Sequence, residues 1–175
     1  MYDGNYRTYK FIRKIKLYYI KVSVGEIEAY INKIKQNLEY TPNALIWEIL
    51  KKYQGAYFED EVVSVISSQI PILGDSNRLE FGAFLEVQSI YSILNSNQDL
   101  FERRYLPFAE ATPGDFIALD CNKDEVVFIS HDYTEEEGKV FFLADTITKF
   151  ILGLVKIDED EDGDDLESEW FSDDF

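Results

Sequence analysis

The clearest pattern of apolar and polar positions lies in residues 105–154. Three runs rich in β-forming residues follow one another there, at 116–119, 126–129 and 140–143. Polar, turn-forming residues precede or separate these runs: Pro113-Gly114-Asp115, Asn122-Lys123-Asp124 and Glu135-Glu136-Glu137-Gly138. Proline and glycine favour turns, and short apolar runs between turns are typical of strands. The stretch therefore predicts an antiparallel meander of three strands.

A helix is predicted directly after the meander. Its apolar positions follow the i, i+3, i+4, i+7 spacing of one helical face: Ile147, Phe150, Ile151 and Leu154. Asp145 or Thr146 stands where a capping side chain is expected. We expect the apolar face of this helix to cover the sheet.

The sequence before the meander contains further periodic segments. The predicted elements are helices at 26–38 and 41–55, strands at 61–66 and 79–85, and a short helix at 87–94. Thr41-Pro42 supplies the cap and first turn of the second helix, and Gly55 its end. Together these elements predict an α+β fold, in which a mostly antiparallel β-sheet is flanked by N-terminal helices and a C-terminal helix.

Residues 1–22 are basic and aromatic, with six lysine and arginine residues and no acid between Asp3 and Glu26. Their apolar positions fit both a helix and a strand, so the structure of this segment stays open. Either the lysine stems cover apolar surface of the domain, or the segment forms a functional basic patch.

Composition bounds the class of protein. A chain of 175 residues with 46% hydrophobic and 15% aromatic residues is long enough for one well-buried core and short for two. We therefore expect a single domain over residues 1–157. The apolar run at 17–20 is too short for a signal peptide, and no window approaches a membrane span of about 20 apolar residues. We expect neither a signal sequence nor a membrane partner.

The formal net charge of −17 argues against nucleic acid or an anionic membrane as a direct partner, because both repel a polyanion. Residues 57–175 carry 29 acids and seven bases. Eleven of these acids lie in residues 158–175, which hold no base, and such self-repulsion predicts a disordered acidic tail. The single cysteine, Cys121, excludes an intramolecular disulfide and a cysteine-rich zinc site, and it fits a cytoplasmic location.

The acidic tail matches the spacing of a calcium-binding loop at positions 1, 3, 5 and 12: Asp158, Asp160, Asp162 and Glu169. Gly163 stands at position 6, as such a loop requires. However, position 8 is Asp165 instead of an apolar residue, and only six residues follow Glu169 to build an exit helix. In so acidic a segment the match arises easily by chance, and we expect no specific metal site.

His131-Asp132 follows the second strand of the meander and is the strongest candidate for general-base chemistry near neutral pH. No Gly-x-Ser-x-Gly elbow supplies a nucleophile, and nothing around Cys121 indicates an activated thiol. We therefore interpret His131 as a structural turn residue and expect no catalytic residue.

Three segments spread over residues 26–154 carry a resemblance to a known family. They are Pro42 with Leu50, Tyr53 and Gly55; Tyr105-Leu106-Pro107-Phe108-Ala109 with Gly114-Asp115; and Ala144-Asp145 with Phe150. These segments resemble the SUKH superfamily, which includes bacterial immunity proteins and the Smi/Knr-type regulator of yeast cell wall synthesis. Gln54, Ala56 and Thr146-Ile147 depart from the family pattern, and these departures concern the geometry of loops.

The resemblance implies an α+β domain without catalytic activity or cofactor. Bacterial members act as immunity proteins that bind and neutralise toxins, often nucleases. We therefore expect a toxin protein with a basic surface as the partner, attracted by the acidic field. The acids expected to contact it lie in loops beside the meander: Asp115, Asp120, Asp124, Glu125, Asp132, Glu135, Glu136 and Glu137.

Two alternatives stay open. Each of these acids taken singly also fits an ordinary solvated surface. The whole chain also fits a regulatory or scaffold module of the yeast-regulator type, which binds a protein other than a toxin.

Overall fold

The computed structural model describes residues 17–18, 24–58, 61–66, 70, 73, 77–111, 114–131 and 138–157. The helices are α1 (Val24–Asn37), α2 (Ala44–Tyr53), α3 (Val87–Ser96), α4 (Gln98–Phe101) and α5 (Ile147–Leu152). The strands are β1 (Leu17–Tyr18), β2 (Tyr57–Phe58), β3 (Val62–Val65), β4 (Arg78–Glu80), β5 (Ala83–Phe84), β6 (Tyr105–Glu110), β7 (Phe116–Asp120), β8 (Glu125–Ile129), β9 (Val140–Ala144) and β10 (Leu154–Lys156). These elements confirm the predicted α+β class.

The larger sheet has seven strands in the order β1-β2-β5-β6-β7-β8-β9, and every pairing in it is antiparallel. Its last three strands are the predicted meander, each within one residue of the predicted bounds. β1 falls in the basic segment 1–22 and pairs with β2, so the part of that segment that the structure describes is a strand.

Strand β6 was not predicted, and Pro107 explains why. Proline lacks the N–H that a ladder needs and is tolerated inside a sheet mainly at bulges. The register against β7 shifts between Pro107 and Ala109, because Pro107 pairs with Ala118 while Ala109 pairs with Ile117. Phe108 is the additional residue of this bulge, and its carbonyl accepts a hydrogen bond from the backbone N–H of Leu85 at 2.9 Å.

The smaller sheet has three strands in the order β10-β3-β4, all antiparallel. The prediction of one strand over 79–85 was wrong, because β4 lies in this sheet and β5 in the larger one. Gly82 separates them, and its N–H donates to the carbonyl of Glu110 at 2.8 Å. The placement of Leu154 on the closing helix was also wrong, since α5 ends at Leu152 and Leu154 begins β10.

The helices begin where their capping residues allow. Asn43, and not Thr41 as predicted, caps α2, since the Asn43 side chain accepts from the N–H of Leu45 at 2.9 Å. Thr146 caps α5 by accepting from the N–H of Lys149 at 3.2 Å, as expected of one of the two predicted capping residues. Among the described residues no helix has the length and apolar content to cross a membrane.

Aromatic side chains join the two sheets in one core. The ring of Phe81 lies 5.0 Å from that of Phe84 and 6.4 Å from that of Phe150 on α5, centroid to centroid. Phe108 on the β6 bulge contacts Phe150 edge-on, at 6.1 Å. All four rings are buried. Because fully burying a side chain of this kind stabilises by about 1.5–3 kcal/mol, this cluster is a strong link between β5, β6 and α5.

Candidate functional site

The structure describes four of the predicted contact acids and places them at opposite ends of the meander. Asp115 stands just before β7, whereas Asp120 is its last residue. Glu125 opens β8 and pairs with Asp120, so both lie at the second end. A strand of five residues rises by about 16 Å. The four predicted acids that the structure describes therefore do not form one contiguous surface, and each end has to be considered by itself.

At one end, which we call the β7–β8 turn (residues 120–125), Asp120 is a buried ion-pair residue. Its carboxylate is 2% exposed and accepts two hydrogen bonds from Arg104, Nε to Oδ1 at 2.8 Å and Nη2 to Oδ2 at 2.5 Å. It also accepts from the N–H of Asn122 at 3.0 Å. The predicted role of Asp120 as a partner contact is therefore corrected: its carboxylate is occupied inside the protein.

These contacts change the acidity of both partners. Burial by itself would raise the pKa of Asp120, but the hydrogen bonds from Arg104 and the Asn122 backbone outweigh burial, so the pKa is lowered. The hydrogen bond to Asp120 raises the pKa of Arg104. Both groups are thus charged throughout the physiological range, and the pair is a fixed structural link between β6 and β7.

Asp124 and Glu125 are the acids that the β7–β8 turn presents to solvent. Asp124 adopts a left-handed backbone with φ of 63°, and its N–H donates to the carbonyl of Asp120 at 2.8 Å. Its carboxylate accepts from the side chain of Asn43 at 2.9 Å. Glu125 forms a 3.6 Å ion pair with Lys123. The turn therefore holds two partly exposed carboxylates in a defined geometry.

At the other end, Asp115 is buried and supports His131. Its Oδ1 accepts the backbone N–H of His131 at 3.0 Å and lies 2.9 Å from Nδ1 of the ring. The ring passes over Gly114, whose backbone has φ of +91°, and a Cβ on that residue would lie 2.7 Å from His131 Cε1. Asp115 is thus an orienting carboxylate for the histidine, and its predicted role as an exposed partner contact is corrected as well.

The arrangement does not join His131 to the cysteine. Cys121 follows the last residue of β7, at the end of the strand away from Asp115 and His131. Its Sγ donates weakly to the carbonyl of Leu119 at 3.7 Å, and burial raises the pKa of the thiol to about 12. At neutral pH the thiol is therefore protonated, the unreactive form of a cysteine.

Several predicted residues lie outside the described part of the chain. They are the contact acids Asp132, Glu135, Glu136 and Glu137 and the tail residues Asp158, Asp160, Asp162 and Glu169. Among the described residues, no group of three or more histidine, cysteine, aspartate or glutamate side chains has the arrangement of a metal site.

Two features escaped the sequence interpretation. Arg104 gave no periodic signal in the sequence. It lies directly before β6, beside the residue of β6 that pairs with Asp120, and this strand pairing brings the two side chains together. The second is a cationic and aromatic cluster on α1 and α3, where the ammonium group of Lys33 lies 5.0 Å from the ring of Tyr30 and 5.4 Å from that of Tyr91. Aromatic residues at helical spacing do not reveal such a contact between helices.

Comparison with known proteins identifies a family and a similar bacterial protein. The model of a family described as SMI1/KNR4 (SUKH-1) matches residues 27–153. The SPbeta prophage-derived uncharacterized protein YokK of Bacillus subtilis (strain 168) is 25% identical over 134 residues, which covers 66% of this chain and 70% of YokK. The family match runs from α1 to the end of α5 and includes both ends of the meander.

Proposed function

Because the chain belongs to the SMI1/KNR4 family (SUKH-1), we propose that it is a non-catalytic immunity protein that binds and neutralises a toxin protein with a basic surface. The observation that carries the proposal is the family match over 127 of 175 residues, counted from 27 to 153.

The charge of the chain supports a basic partner. A net charge of −17 produces a field that attracts a cationic surface over about a Debye length, roughly 8 Å at physiological ionic strength. An enzyme that acts on nucleic acid has to attract phosphate, so a polyanionic inhibitor is drawn to the same cleft. Electrostatic attraction of this kind raises the association rate more than it raises the affinity.

The β7–β8 turn supports a contact role for Asp124 and Glu125. The buried pair of Arg104 and Asp120 fixes the turn before any partner arrives. A loop that is already ordered loses little conformational entropy on binding, and the contacts therefore convert more fully into affinity. Asp132 and the glutamates at 135–137, which lie between β8 and β9 in the sequence, remain proposed contacts.

Growth rescue tests the proposal directly. The protein encoded beside this gene is expressed in a sensitive host with and without the present chain, and rescue of growth is expected. The double charge reversal of Asp124→Lys and Glu125→Lys should weaken rescue and slow association. Glu80→Lys is the matched control: it reverses an exposed acid on the smaller sheet and should leave both readouts unchanged.

Other outcomes contradict the proposal at different levels. An association rate that does not fall as salt rises rules out attraction by the acidic field. Failure of the neighbouring protein to harm the host, together with no binding to it, favours the regulatory or scaffold alternative. Measurable turnover of a substrate by the chain alone contradicts the non-catalytic assignment.

A further inference from the structure

A pocket of about 200 Å³ opens where the C-terminal ends of α1 and α3 meet α4. Its apolar floor consists of three side chains that are themselves buried: Leu38, Leu94 and Phe101. Sites for drug-sized ligands usually have about 300–1,000 Å³, whereas a dry cavity of about 150 Å³ already accepts benzene. The pocket is therefore small for a cofactor and has room for a single aromatic side chain.

The rim of the pocket is polar and consists of Asn37, Asn95, Gln98 and Arg103. The Nδ2 of Asn37 donates to the Oδ1 of Asn95 at 3.1 Å. This bond uses one donor of the first amide and an acceptor of the second, so the oxygen of Asn37 and the amino group of Asn95 keep hydrogen-bonding capacity for a ligand. None of the described residues that line the pocket is acidic.

Arg103 is the charged residue of the rim. Its Nε donates to the backbone carbonyl of Asn37 at 3.0 Å, which holds the exposed guanidinium at the C-terminal end of α1. Within the described part of the chain, no residue accepts a hydrogen bond from its two Nη groups. These two groups form the end-on fork that binds a carboxylate with two hydrogen bonds.

The backbone that delivers Arg103 is strained. Glu102 and Arg103 both lie in the left-handed region, with φ of 51° and 53°. Residues other than glycine adopt this region uncommonly, and such strain persists where the surrounding structure fixes it, often at ligand sites. The carbonyl of Arg103 accepts from the N–H of Glu39 at 2.8 Å, so both the main chain and the side chain hold this residue at the end of α1.

The charges around the pocket favour an anionic ligand. A helix C-terminus carries a partial charge of about −0.5, but Arg103 already donates to one of the α1 carbonyls and adds a full positive charge. Lys33, about one turn before the end of α1, adds a second. Glu39 and Asp99 are exposed and do not line the pocket, and Glu102 is held in an ion pair. The pocket therefore suits an aromatic side chain that is flanked by carboxylates.

The acidic tail, residues 158–175, contains that combination. Trp170 has three acids within three residues of it, at 167, 169 and 173, and Phe171 follows it directly. The indole N–H of Trp170 can donate to an amide oxygen of the rim, whereas a phenylalanine has no such donor. Tryptophan is also among the residues most enriched at the centres of binding interfaces. Segment 167–173 thus complements the pocket in charge and in apolar content.

We propose that the acidic tail of the chain docks in this pocket, with Trp170 on the apolar floor and a neighbouring carboxylate on the guanidinium of Arg103. The 18 residues of the tail span up to about 60 Å when extended, against a radius of gyration of roughly 14 Å for the folded part, so they can reach the pocket from the end of β10.

Tethering makes this contact effective even if it is weak. A flexible tether gives a local concentration in the millimolar range, so an intrinsic Kd of about 1 mM suffices to dock the tail in half of the molecules. The contact opposes the net charge of −17 only locally, because charges more than about 8 Å apart are screened at physiological salt. The proposal concerns the chain by itself and is independent of toxin binding.

Paramagnetic NMR of the full chain tests the proposal. A nitroxide is attached in the tail at Ser168→Cys, because Cys121 is buried and its thiol stays protonated at neutral pH. The amide signals of Leu38, Asn95 and Arg103 should broaden in 0.1 M salt. They should recover in 1 M salt, where the Debye length falls from about 10 Å to about 3 Å.

A mixed sample separates docking within one chain from contact between two copies. It contains isotope-labelled chain without the nitroxide and unlabelled chain with it, so broadening arises only between molecules. We expect none. Broadening in this sample equal to that in the single chain would assign the pocket to the tail of a second copy and overturn the proposal.

Substitutions on both sides of the contact identify the groups that form it. Trp170→Ser leaves the folded residues unchanged and should remove the broadening. Arg103→Gln should lower the docking equilibrium constant roughly two- to fivefold, the effect of losing one exposed ion pair. Arg78→Gln, which removes an exposed arginine from β4, is the matched control and should dock like the wild type. Circular dichroism and thermal unfolding report whether each variant keeps its fold.

Three further results overturn the proposal. They are a wild-type chain without broadening, broadening centred on residues away from the pocket, and broadening that persists in Trp170→Ser. If Arg103→Gln fails to fold, Trp170→Ser and the salt series decide, because neither changes a residue of the folded part.

Discussion

Arg104 donates two hydrogen bonds to the buried carboxylate of Asp120, across the hairpin that joins β6 to β7. Asp120 is almost wholly enclosed, whereas the Arg104 side chain is about one quarter exposed, at 27%. The pair thus fixes the start of the β7–β8 turn. Removal of Arg104 leaves the buried carboxylate of Asp120 without its counter-charge, and removal of Asp120 leaves the Arg104 guanidinium without its acceptor.

Arg104→Met should lower the free energy of unfolding by about 3 kcal/mol, because it strands the Asp120 carboxylate in the interior. Denaturant titration of the purified variant measures this loss. Asp124→Asn in the same turn is the control: asparagine tolerates the left-handed backbone and keeps an oxygen for Asn43, so its effect should stay within about 0.5 kcal/mol. Equal losses of unfolding free energy in the two variants would show that the Arg104–Asp120 pair contributes no more to stability than an ordinary residue of the turn.

The same pair predicts a pH dependence of stability. The folded pKa of Asp120 lies below its unfolded value of about 3.9. Its stabilising contribution is therefore complete above about pH 4 and is lost as the pH falls through the folded pKa. Unfolding free energies measured from pH 7 down to pH 2 should fall less steeply below pH 4 for Asp120→Asn than for the wild type. Parallel acid slopes would contradict the assignment.

Gly114→Ala should cost more than Gly138→Ala, although both glycines have positive φ, +91° and +78°. The strain of a left-handed backbone, about 1–2 kcal/mol, is common to both. At Gly138 nothing lies within 4 Å of the added Cβ, whereas at Gly114 the ring of His131 has to move and loosen its contact with Asp115.

A double-mutant cycle checks the cause. With His131→Ala in place, Gly114→Ala should cost about as much as Gly138→Ala, so the two changes combine less than additively. Strict additivity would show that the ring does not limit the space above Gly114. Denaturant unfolding of the four proteins of the cycle supplies the measurement.

Tyr53→Phe should stabilise the protein by about 1 kcal/mol. The hydroxyl of Tyr53 is buried and has no hydrogen-bond partner among the described residues, while the ring packs on Phe84 at 6.1 Å. Removing an unsatisfied buried polar group relieves its desolvation cost without changing the packing. Tyr40→Phe, at an exposed ring, is the matched control and should be neutral. A loss of stability in Tyr53→Phe would reveal a partner for the hydroxyl.

Cys121 should react slowly with a thiol reagent while the protein is folded. Burial raises its pKa to about 12, so almost no thiolate exists at pH 7 to 8. Modification should speed up by orders of magnitude in denaturant. A cysteine introduced at the exposed end of α3, Ser96→Cys, should react rapidly in the folded state and shows that the reagent is competent.

The meander could be predicted because each strand is apolar and each turn is polar, a local signal that needs no knowledge of the partner strand. β6 could not, because Pro107 opposes a central strand unless a bulge accommodates it, and the bulge depends on β7. Leu154 fits the helical period, but pairing with Ser64 on β3 outweighs that preference and turns it into a strand residue.

For the acidic residues, too, the sequence predicts the general property but not which individual residues are exposed. Composition and a family resemblance predict an acidic, protein-binding domain, but they do not distinguish Asp120 from Asp124, which lie four residues apart. The difference comes from Arg104, 16 residues earlier, which encloses one carboxylate and leaves the other to the solvent side of the turn. His131 likewise pairs with Asp115 across the β7–β8 hairpin, a contact that its sequence neighbours do not predict.

The family match stops at residue 153, yet the next three residues, β10, complete the smaller sheet by pairing with Val62, Val63 and Ser64. A fragment limited to residues 27–153 would lack β10, the neighbour of β3 in the smaller sheet. It would also lack β1, which pairs with β2 at the edge of the larger sheet. Recombinant fragments meant to fold should therefore extend at least from 17 to 157, four residues past the homology limit at one end and ten before it at the other.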